Sequence, residues 1–288
     1  MPKLNHKGDP KAFDENWKTR KETYYNHFSE GPPRNQIQLA FRSHFEVFSD
    51  ILEKHPTAAK KFIETGCGRG TLANYFAVSG WDVTLLDYNK SVLEVAKQIF
   101  ESQKLDVKYM TGDALALDLE DESFDVVANI GLLEHFEDIN KVMNEQIRIL
   151  KPDGWCFSYI VPERPDNIQR YFKWLNQLLK LASLKWGWRN RNQIKKPEIF
   201  RSDNFSDRYL SSLDRTRVKN IISHGMYPLP MISHSPEFPF SLLPAKIELL
   251  LTSLFVFILW CRAKYFKNHG WICNEKTGQA FLVAFQKK

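Results

Sequence analysis

The chain is expected to fold as an α/β protein around a doubly wound, mostly parallel sheet. Short apolar runs alternate with helical stretches from Lys61 to Val161, a glycine-rich turn separates the first run from the first of those helices, and a strand-like run closes the chain. With 288 residues and 43% hydrophobic content, the chain can fill one large core and carry an appendage.

Taken in order, a polar, aromatic-dotted lead comes first. In "IQLAFRSHFEVFSDILEKH" the apolar residues Ile37, Phe41, Phe45, Phe48 and Leu52 fall at steps of three and four, one face of a helix. "KFIETG", "DVTLLD", "VKYMTGD", "FDVVANIG" and "GWCFSYIV" then read as strands. Between them "GTLANYFAVSG", "SVLEVAKQIFESQ" and "NKVMNEQIRILKPDG" read as helices, the last stopped by Pro152 and Gly154. Strands and helices alternating at this spacing imply a parallel sheet covered on both faces.

Beyond Val161 the rhythm breaks. "DNIQRYFKWLNQLLKLASL" predicts an amphipathic helix with Ile168, Tyr171, Phe172, Leu175, Leu179 and Ala182 on one side, followed by the basic loop "KWGWRNRNQIKKPEIFR". A second helix is expected from Ser206, which can cap it, to near Gly225. A proline-rich stretch leads into "KIELLLTSLFVFILWCRAKYFK", and "GQAFLVAFQKK" predicts a final strand.

The bulk chemistry removes several classes. Cys67, Cys156, Cys261 and Cys273 share no metal-ligand or redox spacing, which argues against a zinc site and a disulfide scaffold and fits a reducing, cytoplasmic setting. The amino terminus alternates charges and reads as neither signal peptide nor anchor. The net charge of +6 is concentrated: residues 162–226 hold fourteen Lys and Arg against six Asp and Glu, leaving the remainder slightly acidic.

The glycine turn "ETGCGRG" carries the chemistry. Glycines 66, 68 and 70 let backbone approach a ligand at the carboxyl end of the first strand. The dinucleotide fingerprint is GxGxxG and points a helix amino terminus at phosphate. Here the spacing is GxGxG and Glu64 ends the strand, where a carboxylate repels pyrophosphate and attracts a cation. A ligand with an ammonium, a sulfonium and no phosphate fits.

From about Lys61 to Val161, and again over the last ten residues, the chain resembles the class I, Rossmann-like methyltransferases that use S-adenosylmethionine (SAM), in the small-molecule branch that includes ubiquinone biosynthesis. The resemblance implies a seven-stranded sheet with helical cap insertions. It gives Glu64, Gly66, Cys67, Gly68 and Gly70 to the methionine part and Asp87, with Tyr88 beside it, to the ribose. Asp113 and Ala114 fall at the adenine, and Asn129 and Ile130 in the turn facing the transferred methyl. No metal is implied.

Methyl transfer from a sulfonium needs alignment more than acid or base. Where the acceptor enters protonated, His135 of "GLLEHF" is the candidate base, with Glu134 beside it; the other reading is a pair that buttresses the turn. The leader residues Tyr24, Tyr25 and Phe28 are candidates to touch the acceptor or to pack in the core. The Asn/Asp-Pro-Pro-Tyr/Phe motif of base-amine methylating relatives is not in "NIGLLEH", so no DNA partner is expected.

Two segments keep alternatives open. The basic stretch, with Trp186 and Trp188, fits RNA, anionic headgroups, a phosphorylated acceptor or a plain solvated face. The run Leu249–Cys261, about 13 residues where a span needs about 20, reads as a packed helix or as an interfacial helix admitting a lipophilic acceptor, with peripheral membrane contact. The expected organisation is a leader and lid (1–60), a SAM-binding core (61–161), a basic cap (162–205) and the rest of the core with the apolar helix (206–288). The expected activity is SAM-dependent methyl transfer to a small, apolar or amphipathic acceptor. The alternatives are an RNA methyltransferase and a silent SAM-binding scaffold.

Overall fold

The structure is a computed structural model and describes residues 27–185, 201–232 and 243–288. Tyr24, Tyr25, Trp186 and Trp188 lie outside the described residues. Eight strands form one sheet: β1 (Lys61–Thr65), β2 (Asp82–Asp87), β3 (Lys108–Thr111), β4 (Phe124–Ile130), β5 (Leu150–Ile160), β6 (Val218–Met226), β7 (Ile272–Cys273) and β8 (Ala280–Lys287). The spatial order is β3-β2-β1-β4-β5-β8-β6-β7. The first five pair in parallel, whereas β8, β6 and β7 join antiparallel. Strand order reverses between β1 and β4, which puts the ligand crevice of such a sheet at the carboxyl ends of β1, β2 and β4.

Seven helices accompany the sheet among the described residues: α1 (Gln36–Lys54), α2 (Thr71–Val78), α3 (Lys90–Ser102), α4 (Ile139–Ile149), α5 (Lys173–Lys185), α6 (Ser206–Ser211) and α7 (Ala245–Phe266). Side chains alternate across the sheet as a period of two requires. Phe62, Val126, Ala128, Phe157 and Leu282 pack under α1, α2 and α3, while Ile63, Val127, Cys156, Val283 and Phe285 pack under α4 and α6. The start of α1 is set by Asn35, whose Oδ1 accepts from the N–H groups of Ile37 and Gln38 at 3.1 and 2.8 Å. Its buried face is broader than the expected stripe and includes His44, Val47 and Ile51, with Phe41 and Phe45 only partly covered.

Three expectations are corrected. The sheet has eight strands rather than seven, the added one being the two-residue edge strand β7. The helix expected from Ser206 to Gly225 stops at Ser211, and Val218–Met226 is a strand pairing β8. The break has a local cause: Asp214 Oδ1 accepts from Thr216 N–H at 2.9 Å, a turn bond that competes with the helix, and the β-branched Val218, Ile221 and Ile222 then suit a strand. Finally, the apolar helix is 22 residues rather than 13, long and apolar enough to cross a bilayer by length and composition, and it is mostly exposed.

Helix α5 differs in its facing. A 3-10 turn over Ile168–Phe172 precedes it, and Tyr171, expected on the packed side, is exposed.

Candidate functional site

The turn after β1 is built over the end of β2. Cys67 N–H donates to Leu86 O at 3.0 Å, and Gly68 N–H donates to Asp87 Oδ2 at 2.9 Å. Gly66 has φ +64°, the left-handed conformation that favours glycine, and the Leu132 side chain of the turn after β4 packs over it, its Cδ1 2.8 Å from where a Cβ would lie. Gly70, also at positive φ, would place a Cβ 2.9 Å from Phe100 Cε2, so its lack of side chain seats α3 against the turn.

Glu64 is buried, and its Oε2 accepts from the Ala73 N–H at 2.9 Å, in the first turn of α2. Burial pushes its carboxyl up to about 8, that bond opposes the rise, and the charge of Asp87 adds to it. Asp87 is also raised by burial, although Gly68 and Asn89 N–H donate to its two oxygens at 2.9 Å. Asn89 Oδ1 in turn caps α3 through Ser91 N–H at 2.8 Å. A buried and a partly buried carboxyl at neighbouring strand ends are stabilised as anions by a cation beside them, and an anionic ligand would worsen both. The site therefore fits an ammonium-bearing ligand with hydroxyls, and does not fit a pyrophosphate.

The remaining candidates sit at neighbouring strand ends. Gly112 N–H donates to Asp87 O at 3.1 Å, which brings Asp113 next to that strand end; Asp113 Oδ1 accepts from Leu115 N–H at 2.9 Å, and Ala114 sits partly buried inside this small turn. Tyr88 is exposed beside Asp87. Asn129, fully buried at the end of β4, donates Nδ2–H to Ser158 Oγ at 3.0 Å, while its Oδ1 has no partner among the described residues. Ile130 follows it, partly buried.

His135 and Glu134 lie buried in a 3-10 turn, Leu133–His135. Glu134 is tied into the scaffold: Oε1 accepts from Val161 N–H at 3.3 Å and its carbonyl from Ser202 N–H at 2.8 Å. Burial pushes its carboxyl up to about 7, opposed by backbone N–H and by the charge of Arg201. Phe28 packs edge-on against Tyr75 of α2 at 4.7 Å.

The structure also assembles side chains that no sequence pattern connects. Trp271 Nε1–H donates to His44 Nδ1 at 3.0 Å across 227 residues of chain, and the His44 ring lies 3.9 Å from that of Tyr159 near the carboxyl end of β5. Leu132, which shapes the glycine turn, carried no signal either. Asn89 did, as a helix-capping residue directly before an apolar-periodic segment. A cavity of about 430 Å³ between α1 and α7, lined in part by Leu39, Ser43, Leu259 and Trp271, contains none of the candidate site residues.

A family model described as "Methyltransferase domain" matches residues 63–158. Among curated relatives, the ubiquinone biosynthesis O-methyltransferase of Pseudomonas putida (strain GB-1) is 33% identical over 117 residues, 40% of this chain and 50% of that protein. The enzyme of the same name from Bartonella tribocorum is 35% identical over 112 residues, 39% of this chain and 45% of that protein. The chain thus spans about half the length of the curated relatives it matches. Among solved structures, the YcgJ protein from Bacillus subtilis superposes with TM-score 0.51 at 17% identity over 85% of this chain and 99% of that one. The [4+2]-cyclase SpnF superposes with TM-score 0.50 at 14% identity over 96% and 91%. At such identities the likeness shows the fold, and a cyclase among the neighbours shows that the fold alone does not fix the chemistry.

Residues 63–158 thus match a methyltransferase domain, set in a sheet whose parallel strands follow the order of Rossmann-like folds.

Proposed function

We propose that the protein is a SAM-dependent methyltransferase acting on a small, amphipathic acceptor that enters with a hydroxyl group. The observation that carries this reading is the pair of carboxyls at the ends of β1 and β2, Glu64 buried and Asp87 partly buried, each held by backbone N–H of the turns that flank them. The hydroxyl acceptor follows from the ubiquinone O-methyltransferases among the relatives.

Bound SAM supplies an electrophilic methyl on a sulfonium. The chain supplies position and environment. Glu64 attracts the ammonium, and Gly66, Cys67, Gly68 and Gly70 let backbone close on the methionine part. Asp87, whose oxygens each retain lone-pair capacity, accepts from the ribose hydroxyls. Asp113 and Ala114 border the adenine, with Tyr88 at the mouth, and Asn129 and Ile130 flank the reacting end. His135 takes the acceptor's hydroxyl proton on an imidazole nitrogen, and Glu134 holds the turn that presents it. Alignment in a dry pocket then contributes most of the rate, since orientation alone can supply roughly 7 to 11 kcal/mol.

Incubation with methyl-labelled SAM and fractionated cell extract tests this. Label is expected in an extractable lipid or small-molecule fraction. Label in RNA, with RNA binding that weakens steeply with salt, would replace this reading by an RNA methyltransferase. SAM binding without label in any fraction would leave a silent scaffold.

A further inference from the structure

Two helices outside the cofactor site leave apolar stripes facing solvent. On α5, Tyr171 just before it and Trp174, Leu178 and Leu181 within it recur at steps of three and four, with Trp174 64% and Leu181 66% exposed. On α7, Leu250 is 72% and Phe257 58% exposed, and Ile247, Leu254 and Trp260 share that exposure. Soluble monomers rarely leave such patches without a partner. The two helices flank one segment. Gln169 and Asn176 donate to Met231 O at 3.0 and 2.9 Å from the α5 side. Gln36, which donates to Ile232 O at 2.8 Å, also donates to Glu248 of α7 at 3.1 Å.

Although α7 is long and apolar enough to cross a bilayer, it is pinned at both ends to the body of the protein. Near its start, buried Glu248 accepts from Gln36 N–H at 3.0 Å; near its end, Arg262 donates to Gly270 O and Ile272 O, both at 3.0 Å. Between these anchors Thr252, Phe255 and Leu259 form a continuous buried seam. A helix held along one side cannot insert end-on without breaking those bonds and opening that seam. It can lie flat.

We infer that α5 and α7 form an in-plane docking surface for an anionic lipid bilayer, with the outer face of α7 entering the headgroup–acyl boundary while its seam stays on the protein. Charge placement selects the bilayer over another protein. From Ile247 to Cys261 the only ionisable carboxyl or amine is the buried Glu248, and the exposed stretch is bracketed by Lys246 on one side and Lys264 and Lys267 on the other. Arg170 and Lys173 stand beside the stripe of α5 within a segment carrying a local excess of eight positive charges. Trp260, Tyr265 and Phe266 cluster at the same end of α7 as Lys264, and Lys264 Nζ sits 5.2 Å from the Trp260 ring. Cations and aromatic rings around an uncharged apolar strip are what a headgroup layer above hydrocarbon receives.

Vesicle sedimentation with the full chain tests this. Co-sedimentation is expected with phosphatidylcholine vesicles containing phosphatidylglycerol, reduced several-fold with phosphatidylcholine alone or at 0.5 M salt. Leu250→Asp and Phe257→Asp are expected each to lower the bound fraction about tenfold. Both should leave SAM affinity by calorimetry unchanged, which separates loss of docking from misfolding and from any failure of the proposed activity. Release of bound protein by alkaline carbonate is expected of an in-plane helix, and retention would replace docking by a membrane span. Wild-type protein left in the supernatant at every lipid composition would overturn the inference. So would a lipid-free dimer that Phe257→Asp dissociates, since that would assign the face to a second copy.

Discussion

The two halves of the molecule bury opposite things. At the ends of β1 and β2, ionisable groups lie inside: Glu64 is buried and Asp87 partly buried beside a turn of glycines. Around α5 and α7, large apolar side chains lie outside, among them Trp174, Leu250 and Phe257. Each arrangement is unfavourable for an isolated soluble domain, and each becomes favourable with a particular partner, a cation in the first case and a low-dielectric surface in the second. Departures from ordinary burial thus mark both places where the protein is expected to meet something.

A second contrast lies between two buried titratable groups. The His44 imidazole is lowered to about 3 by burial and is satisfied as a neutral ring by the Trp271 N–H. The Glu64 carboxyl is raised to about 8 with a single backbone donor on Oε2. The histidine is structural in its environment, and the glutamate is poised for a positive ligand.

The sharpest break of this comparison would come at the turn after β4. His135→Gln is expected to lower turnover by about 10² to 10⁴ while SAM affinity, measured by calorimetry, persists; unchanged turnover would leave His135 a buttress like Glu134. Next in size, Phe76→Ala, which removes a fully buried ring stacked 4.0 Å from Phe62, is expected to cost about 3–5 kcal/mol. Phe257→Ala on the outer face of α7 is expected to stay within about 0.5 kcal/mol by chemical denaturation. Equal losses would mean that the outer face of α7 is part of the core.

Glu64→Gln is expected to weaken SAM binding by about 2 kcal/mol or more, roughly thirtyfold in Kd. The same carboxyl sets a pH dependence. Because the ligand-free group is protonated below about 8 and a cation prefers the carboxylate, affinity should rise with pH toward 8, and binding near pH 6.5 should release a proton, read as a buffer-dependent heat. Glu64→Gln should abolish that release.

A further pH effect concerns stability. With its folded value below its unfolded one, His44 takes up a proton more readily in the unfolded chain between pH 6.5 and about 3. Its contribution is therefore present above pH 6.5 and lost as pH falls through that window. His44→Asn should flatten this part of the acid denaturation profile. Glu64 has the opposite sign: its folded value is raised, so ligand-free stability falls as pH rises from about 4.5 to about 8.

The parallel half of the sheet was legible because each strand and helix carries its own period and its own caps within a short window; Asn35 and Asn89 each start a helix by bonding the next two or three residues. The segment Val218–Met226 was misread because its hydrophobic spacing allowed a helix, and only pairing with β8, some sixty residues later, made it a strand. The candidate cofactor residues could be placed from sequence because they end successive strands of a repeating unit. His44, Tyr159 and Trp271 could not, since their contacts join three distant parts of the chain.

The sequence by itself determined the strand–helix rhythm, the glycine turn and the order of Glu64, Asp87 and Asp113, because each depends on spacing along the backbone. Tertiary structure alone decided which face of α7 is held and which is left to solvent. The apolar residues of that helix run around its whole circumference, so no period in the sequence distinguishes the seam from the surface. The choice falls to Gln36, Gly270 and Ile272, whose bonds to Glu248 and Arg262 fix the helix's rotation.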